Sequence, residues 1–346
     1  MLDSRAKARF WNHRGAKIGA ALTLALIGFA LFGPWVAGHD PYASDFTHGY
    51  SSATGFPVAP SRDFLLGTDR LFRDQLARLA LGARISLTIA FAATVISTLL
   101  GGAVGIVAGY YEGSPGMRVP WPCLAALAGA VALAISKGTW GPPLAVLGFG
   151  ALGGLVGTLA ERRGIPWLAR GPRVNIDVLL MRLVDVGLCF PFLLLVMAIG
   201  AALERTTLTS VLLVLGLTGW LSAARLFRAK TMQIRSFAYV EASRALGQST
   251  PRILLRHVLP NVAGTFIVIA TLATAQMILA ESALSYLGVG LAPPMPTWGR
   301  MLFEGQDVYA AAPWLVLAPA AAILTAVLGF NLLGEGLRDA LDPRQD

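Results

Sequence analysis

Residues 85–108 read ISLTIAFAATVISTLLGGAVGIVA, 24 consecutive positions without a charged side chain. An α-helix rises 1.5 Å per residue and the hydrocarbon core of a bilayer is about 30 Å thick, so about 20 apolar residues cross it. In lipid each segment must satisfy its own backbone hydrogen bonds, which makes such a run a helix and not part of an open sheet. Seven further runs of comparable character lie at Ile18–Val36, Val119–Ser136, Pro142–Ala160, Val178–Ala202, Leu208–Ala224, Val262–Leu284 and Trp314–Leu333. The expectation is an all-α polytopic membrane protein with eight spans.

Composition supports this class. The chain is 55% hydrophobic and 14% charged, with a mean hydropathy of +0.63, whereas soluble domains carry about a quarter charged residues. The first run is expected to be a retained span. It exceeds the 7–15 residue core of a cleaved leader, and Phe29-Ala30-Leu31-Phe32-Gly33-Pro34 offers no small-residue cleavage site. Cys123 and Cys189 both fall in apolar runs and form no CxxC pair, so they read as small buried hydrophobes.

The net charge of +9 could signal nucleic acid, but its distribution favours topology. With the N-terminus in the cytoplasm and alternating spans, 20 of the 28 basic residues fall on the cytoplasmic side. Arg225, Arg228, Lys230, Arg235, Arg244, Arg252 and Arg256 fill one cytoplasmic loop, and Arg162, Arg163, Arg170 and Arg173 crowd another. That is the positive-inside pattern. Both termini are then cytoplasmic, the partner is the bilayer of the cell membrane, and no nucleic acid is implied.

Three hydrophilic stretches interrupt the spans: an outer loop at 39–84, a cytoplasmic loop at 225–260, and an outer loop at 288–313. From Asp69, the residues Phe72, Leu76, Leu79 and Ala83 share a face opposite Arg70, Arg73, Asp74 and Arg78, which predicts an amphipathic interfacial helix. The cytoplasmic loop reads as helix, corner, helix. Ala238–Leu246 contains no breaker, and Gly247 can take the left-handed conformation that ends it. Thr250 is placed as the cap before Pro251, and a second helix ends near Pro260, where the next span starts.

The spacing in that loop is informative. Glu241-Ala242-Ser243, three residues, Gly247, nine residues, and His257-Val258-Leu259-Pro260 resemble the EAA–G–I–LP signature of permease subunits of ABC importers. Ser243 replaces the second alanine of that signature, and His257 stands where it usually has isoleucine. Arg256-His257-Val258-Leu259-Pro260-Asn261 is similar to the form used by the dipeptide, oligopeptide and nickel permease family. Leu66-Gly67-Thr68-Asp69 with Arg73-Asp74, Gly82-Ala83-Arg84-Ile85-Ser86-Leu87, Met181-Arg182-Leu183-Val184-Asp185, Glu281–Gly288 with Pro296-Thr297-Trp298-Gly299, and Asp339-Ala340-Leu341-Asp342-Pro343 also resemble that family. Phe72 stands where the family usually has glycine.

The resemblance implies a type I ABC importer permease-like six-helix core plus a two-helix insertion. The family's short turn after its second span fits Gly109-Tyr110-Tyr111-Glu112-Gly113, and its pattern resumes at Val178-Leu179-Leu180-Met181-Arg182. The expected divisions are 1–17, a cytoplasmic N-terminus; 18–113, spans one and two around the loop 39–84; 114–174, the insertion; 175–334, core spans with the loop 225–260; and 335–346, a cytoplasmic C-terminus. Two true spans and a re-entrant or interfacial hairpin both remain open for the insertion. The resemblance also implies a second related permease, two ATP-hydrolysing subunits and an extracytoplasmic solute-binding protein. Solutes would be peptides or similar small molecules, moved by alternating access. Coupling to the ATPases would fall to Glu241, Ala242, Ser243, Ala245, Leu246, Gly247, Leu259 and Pro260.

Other candidates are weaker. Glu281 is ionisable within a span, so a transport role stands beside a role at an interface. Arg182 and Asp185, three residues apart, read as a local ion pair or a gating pair. Gly101, Gly105 and Gly109 read as close helix packing or as a movable gate. The histidines at 13, 39, 48 and 257 lack metal-ligand spacing, and no GxxxxGK[ST] or GxSxG occurs. No cofactor or metal is expected on this chain. ATP and Mg²⁺ would bind the partner ATPases, and no catalytic role is expected here. A stand-alone secondary transporter or channel is the alternative. It would call for several intramembrane charges or an internal repeat.

Overall fold

The computed structural model describes residues 9–50, 57–118, 155, 156, 159, 163, 173–203 and 206–341. The chain divides into two compact units, Met1–Ile106 with Val186–Asp346, and Val107–Asp185. Among the described residues five helices are long and apolar enough to cross a bilayer: α1 (Arg14–Ala37), α2 (Gln75–Tyr111), α5 (Leu208–Arg235), the run Thr250–Tyr286 that ends in α8 (Leu259–Tyr286), and α10 (Trp314–Leu341). A sixth arises if α3 (Ile176–Leu188) and α4 (Phe192–Ala201) form one interrupted span.

The run expected at Val178–Ala202 is therefore not one continuous helix. It breaks at Cys189-Phe190-Pro191, where Pro191 supplies no N–H and restricts Phe190 to extended backbone. The spans expected at Val119–Ser136 and Pro142–Ala160 lie outside the described residues, apart from Leu155, Val156 and Leu159, which are helical and exposed. Val107–Asp185 also holds a short antiparallel ribbon, β1 (Met117–Arg118) with β2 (Arg173–Val174), in which Met117 faces Val174.

In the larger unit, α10 packs along both α1 and α8, and α8 packs on α5. α1 and α10 run antiparallel. Ala16 meets Gly336, Thr23 meets Gly329, and a Cβ on Gly19 would fall 2.8 Å from the Leu332 carbonyl carbon. Small residues let two backbones approach this closely, which replaces the absent hydrophobic drive between helices in lipid. The His13 imidazole lies 3.4 Å from the Asp339 carboxylate, so the start of α1 and the end of α10 share one end of the unit. The core gathers Ala83, Ile89 and Ala93 of α2, Leu215 of α5, Ile278 and Leu284 of α8, and Ile323 and Ala326 of α10.

α2 has 37 residues, about 55 Å of helix, nearly twice what the hydrocarbon core requires. Its first turns lie beside α9 (Trp298–Gly305). Trp298 is fully buried and its Nε1 donates to the Leu79 carbonyl at 3.3 Å. Gly299 rests on the Ser282 backbone of α8, where a Cβ would meet the carbonyl group directly. The close approach accounts for the Trp298-Gly299 pair as a docking unit.

Candidate functional site

α5 ends at Arg235, and the backbone turns through Ser236 and Phe237 into α6 (Ala238–Ala245), an eight-residue helix. Leu246 closes it and Gly247 follows at φ +76°. The Gly247 N–H donates to the Arg244 carbonyl at 3.0 Å, and the Gln248 N–H to the Ser243 carbonyl at 3.2 Å. That paired arrangement is a Schellman stop, which needs a left-handed residue at the position Gly247 holds. A glycine takes that backbone without the steric cost a Cβ brings.

The chain re-enters helix at α7 (Thr250–Ile253). Its cap is Ser249 and not Thr250, in extended backbone at φ −66° and ψ 144°, and Pro251 lies in the first turn where a missing N–H costs nothing. The helix does not end at Pro260. It passes through a wide π turn at Leu254–Val258, where the Leu259 N–H donates to the Leu254 carbonyl, and runs on as α8. Pro260 follows directly after the widened turn, in the first turn of α8. Asn261 Nδ2 donates to the His257 carbonyl at 2.6 Å, which satisfies an acceptor beside the widened turn.

The hook formed by α6, the corner and α7 has two faces. Val240, Ser243, Ile253 and Val258 are buried. Ser243 Oγ donates to the Tyr239 carbonyl at 2.8 Å and lies 3.3 Å from His257 Nε2, so α6 is tied across the corner to the π turn. Glu241, Ala242, Ala245 and Gly247 are exposed, as are Arg244 and Leu246, the latter at 82%. Leu246 therefore projects from the tip of the glycine-closed hook. Leu259 and Pro260, also exposed, stand at the base of the hook and not on its tip.

Glu281 lies 21 residues beyond Pro260 along α8, about 30 Å away. It is fully buried, and Ser285 Oγ donates to its Oε1 at 2.7 Å. The hydroxyls of Ser86 and Thr297 belong to the same knot. Ser86 Oγ accepts from the Trp298 N–H, and Thr297 Oγ1 caps α9 by accepting from the Arg300 N–H. Glu281 thus sits where α2, α8 and α9 meet, closed off from solvent. Arg182 is exposed and Asp185 half-buried on α3 in the smaller unit, and neither is near the hook in sequence. Gly101 and Gly105 fit against α5. A Cβ would fall 2.6 Å from Ala223 Cβ at the first and 2.7 Å from Phe227 Cβ at the second, the close-packing role weighed above.

One feature was not legible in the charge pattern. Asp69–Asp74 is a loop, helix begins only at Gln75, and of the charges expected to face water Arg73, Asp74 and Arg78 are buried while Arg70 is exposed. Arg73 pairs with Asp69 at 2.7 Å. Arg78, 1% exposed, reaches Asp69 at 3.2 Å and Glu304 of α9 at 2.8 Å, and Arg300 adds a 3.1 Å contact to Glu304. Of the helix predicted at 69–83, Gln75–Ala83 forms the start of α2, and its charged side makes an ion-pair lock with α9 instead of facing water. Arginine can serve two carboxylates at once through its planar fork. The only sequence signal was the clustering of Asp69, Arg73 and Arg78, since Glu304 lies 226 residues from Arg78. Among the described residues no group of three or more His, Cys, Asp or Glu side chains could hold a metal ion.

Apolar helices of spanning length, packed through small residues, define a multi-pass membrane protein. Residues 153–346 match the family described as binding-protein-dependent transport system inner membrane component. Residues 4–52 match the N-terminal transmembrane domain of oligopeptide transport permease C. The chain belongs to the binding-protein-dependent transport permease family. It is 34% identical over 339 residues to the di/tripeptide transport system permease protein DppC of Pseudomonas aeruginosa, covering 97% of this chain and 91% of that one. It is 31% identical over 336 residues to a putative peptide transport system permease protein of Brucella abortus, covering 97% and 90%. The glutathione transport system permease protein GsiD of Escherichia coli is 31% identical, covering 97% and 88%.

Proposed function

We propose that this permease passes short peptides across the cell membrane and that the hook at 238–260 couples it to ATP hydrolysis by partner subunits. The substrate class rests on what the relatives' names state of those proteins: peptides, di- and tripeptides, and glutathione. The coupling role rests on one observation, the exposed α6 tip closed by Gly247 and tied back to the span through Ser243 and His257. A short rigid element joined at both ends to spanning helices passes rigid-body motion to them. Glu241, Ala242, Ala245 and Leu246 would form the contact surface, Ser243 and Gly247 its shape, and Leu259 and Pro260 the junction with α8.

The partners are then a second related permease, two ATPases that bind ATP and Mg²⁺, and an extracytoplasmic binding protein that delivers the solute. The hook lies in the cytoplasm, as do both termini, and the α9 side faces outward. The core consists of α1, α2, α3 with α4, α5, α8 and α10, and residues 114–174 are a two-span insertion. The β1–β2 pairing, which lays Met117 beside Val174, supports this by bringing the insertion's two ends together.

Gly247→Leu tests the coupling role. A leucine in left-handed backbone costs about 1–2 kcal/mol and disrupts the stop of α6. In proteoliposomes holding all subunits, we expect the variant to insert normally but to lose most solute-stimulated ATPase activity and uptake. Near-normal stimulation would refute the assignment.

A further inference from the structure

A cavity of about 390 Å³ opens where the 69–75 loop meets α9 and the start of α10. Arg73, Arg300, Asp69 and Glu304 line it, and Phe303 and Leu315 are among its apolar walls. The Arg300 guanidinium is held over the Phe303 ring at 5.0 Å, which fixes its direction without consuming its donors. Charge along the cavity wall balances, with Arg70, Arg73 and Arg300 set against Asp69, Glu304 and Asp307. Arg78 pairs with Asp69 and Glu304 from outside the lining. The neighbouring Arg70–Asp307 pair at 2.7 Å is neutral in sum and sits on the rim.

A partly enclosed space whose wall carries both signs in balance suits a solute that carries both, and the planar fork of Arg300, engaged on Glu304 through Nε, favours a carboxylate. The volume far exceeds what one acidic side-chain tip would fill, and it lies in the range of small-molecule sites with apolar walls and a few convergent polar groups. Asp69, Glu304 and Asp307 offer acceptors for an ammonium group in the same space. We propose that this cavity is a binding site for a small zwitterionic solute, held by its carboxylate on Arg300 and Arg73 with its side chain against Phe303 and Leu315. The site would act as an antechamber on the α9 side of the permease. Its identification with short peptides rests on the importer reading above; the carboxylate requirement does not.

The test is equilibrium dialysis of the purified full-length chain in lipid nanodiscs, with radiolabelled Ala-Phe, its C-terminal amide, and inorganic phosphate as competitor. Saturable binding of Ala-Phe is expected, and the amide should bind at least about tenfold more weakly, because it forfeits a charge-assisted pair. Phosphate should not displace the dipeptide at equal concentration. Arg300→Met should weaken Ala-Phe by about tenfold, with Arg300→Lys between it and the parent. Equal affinity for acid and amide, displacement by phosphate, or absence of saturable binding at millimolar dipeptide would each overturn the proposal. The acid–amide comparison uses the unaltered chain, so it does not depend on how the variants fold. Uptake of Ala-Phe by the full complex separates the two readings. Uptake without binding here removes this site alone, whereas binding without uptake keeps the site and removes the peptide-importer reading.

Discussion

Phe72 has φ +58°, a left-handed backbone that costs a residue with a Cβ about 1–2 kcal/mol. The strain is held in place by its neighbours. The ring packs edge-on against Phe46 at 5.6 Å and Tyr50 at 5.4 Å, its N–H donates to the Asp69 carbonyl, and its own carbonyl accepts from the Asp45 N–H. Substitution therefore separates two opposing effects. Phe72→Ala loses the aromatic packing and keeps the strained backbone, whereas Phe72→Gly loses the packing and relieves the strain. Thermal unfolding of the purified variants should place Phe72→Gly above Phe72→Ala by about 1 kcal/mol. The reverse order would mean that the ring alone shapes the turn. At this scale the sequence was informative wherever a residue has one special backbone property. Gly247 was read as a left-handed corner and is one, and the departure from the family's glycine at position 72 marks a second left-handed residue. Ser249 was missed as the cap of α7 because Thr250 before Pro251 satisfies the same local rule, and only the backbone angles separate the two.

Elements were legible in proportion to how local their causes are. Five apolar runs became helices, because length and hydropathy decide that without regard to neighbours. The stretch from Asp69 to Ala83 was legible only in part: Gln75–Ala83 is helical, whereas Asp69–Asp74 is a loop. Its charges alternate with apolar residues as on a surface helix, yet Arg73 and Arg78 share Glu304 of α9 as well as Asp69, and a pattern within 15 residues cannot show that distant partner. Burial turns those charges into a tie. Removing one member of a buried ion pair leaves the other uncompensated at about 3–5 kcal/mol. Arg78→Met, which keeps most of the volume, should thus lower stability by about 3 kcal/mol and loosen α9 from α2. The prediction is checked by thermal unfolding together with hydrogen exchange at residues 298–305. A loss under 1 kcal/mol would mean that solvent or a neighbour replaces the guanidinium. The π turn at Leu254–Val258 was equally invisible, since it depends on how α7 and α8 are joined across Pro260 and not on a residue type that favours it.

For the whole molecule, the question is how often the chain crosses the membrane, and the α1–α10 pairing constrains the answer. His13 beside Asp339 and Ala16 against Gly336 put both helix ends together, so the crossings between and including these helices must be even in number. α1, α2, α5, the Thr250–Tyr286 helix and α10 make five candidate crossings among the described residues, and the interrupted α3–α4 makes a sixth if it is one span. If α3–α4 is one crossing, the segment that joins α2 to α3 adds an even number; if α3–α4 is re-entrant, it adds an odd number. On the proposed reading, in which α3–α4 is one span, charge supports two added crossings over none. Lys137 stands alone between two apolar runs while four arginines crowd 162–173, the asymmetry expected of a hairpin that crosses outward and returns. Single cysteines placed in a background with Cys123→Ser and Cys189→Ser test this directly. Ser61→Cys on the loop before α2 should react with a membrane-impermeant maleimide added to intact cells. Ala245→Cys on the hook should react only after the membrane is opened. Against those two references, Lys137→Cys should label from outside at a rate comparable to Ser61→Cys. Labelling of Lys137→Cys only in opened cells would set the insertion's crossings at zero, leaving a six-span permease with a re-entrant or interfacial hairpin on its cytoplasmic face. Labelling of Ala245→Cys from outside would invert the whole topology, and with it the assignment of the hook to ATPase coupling.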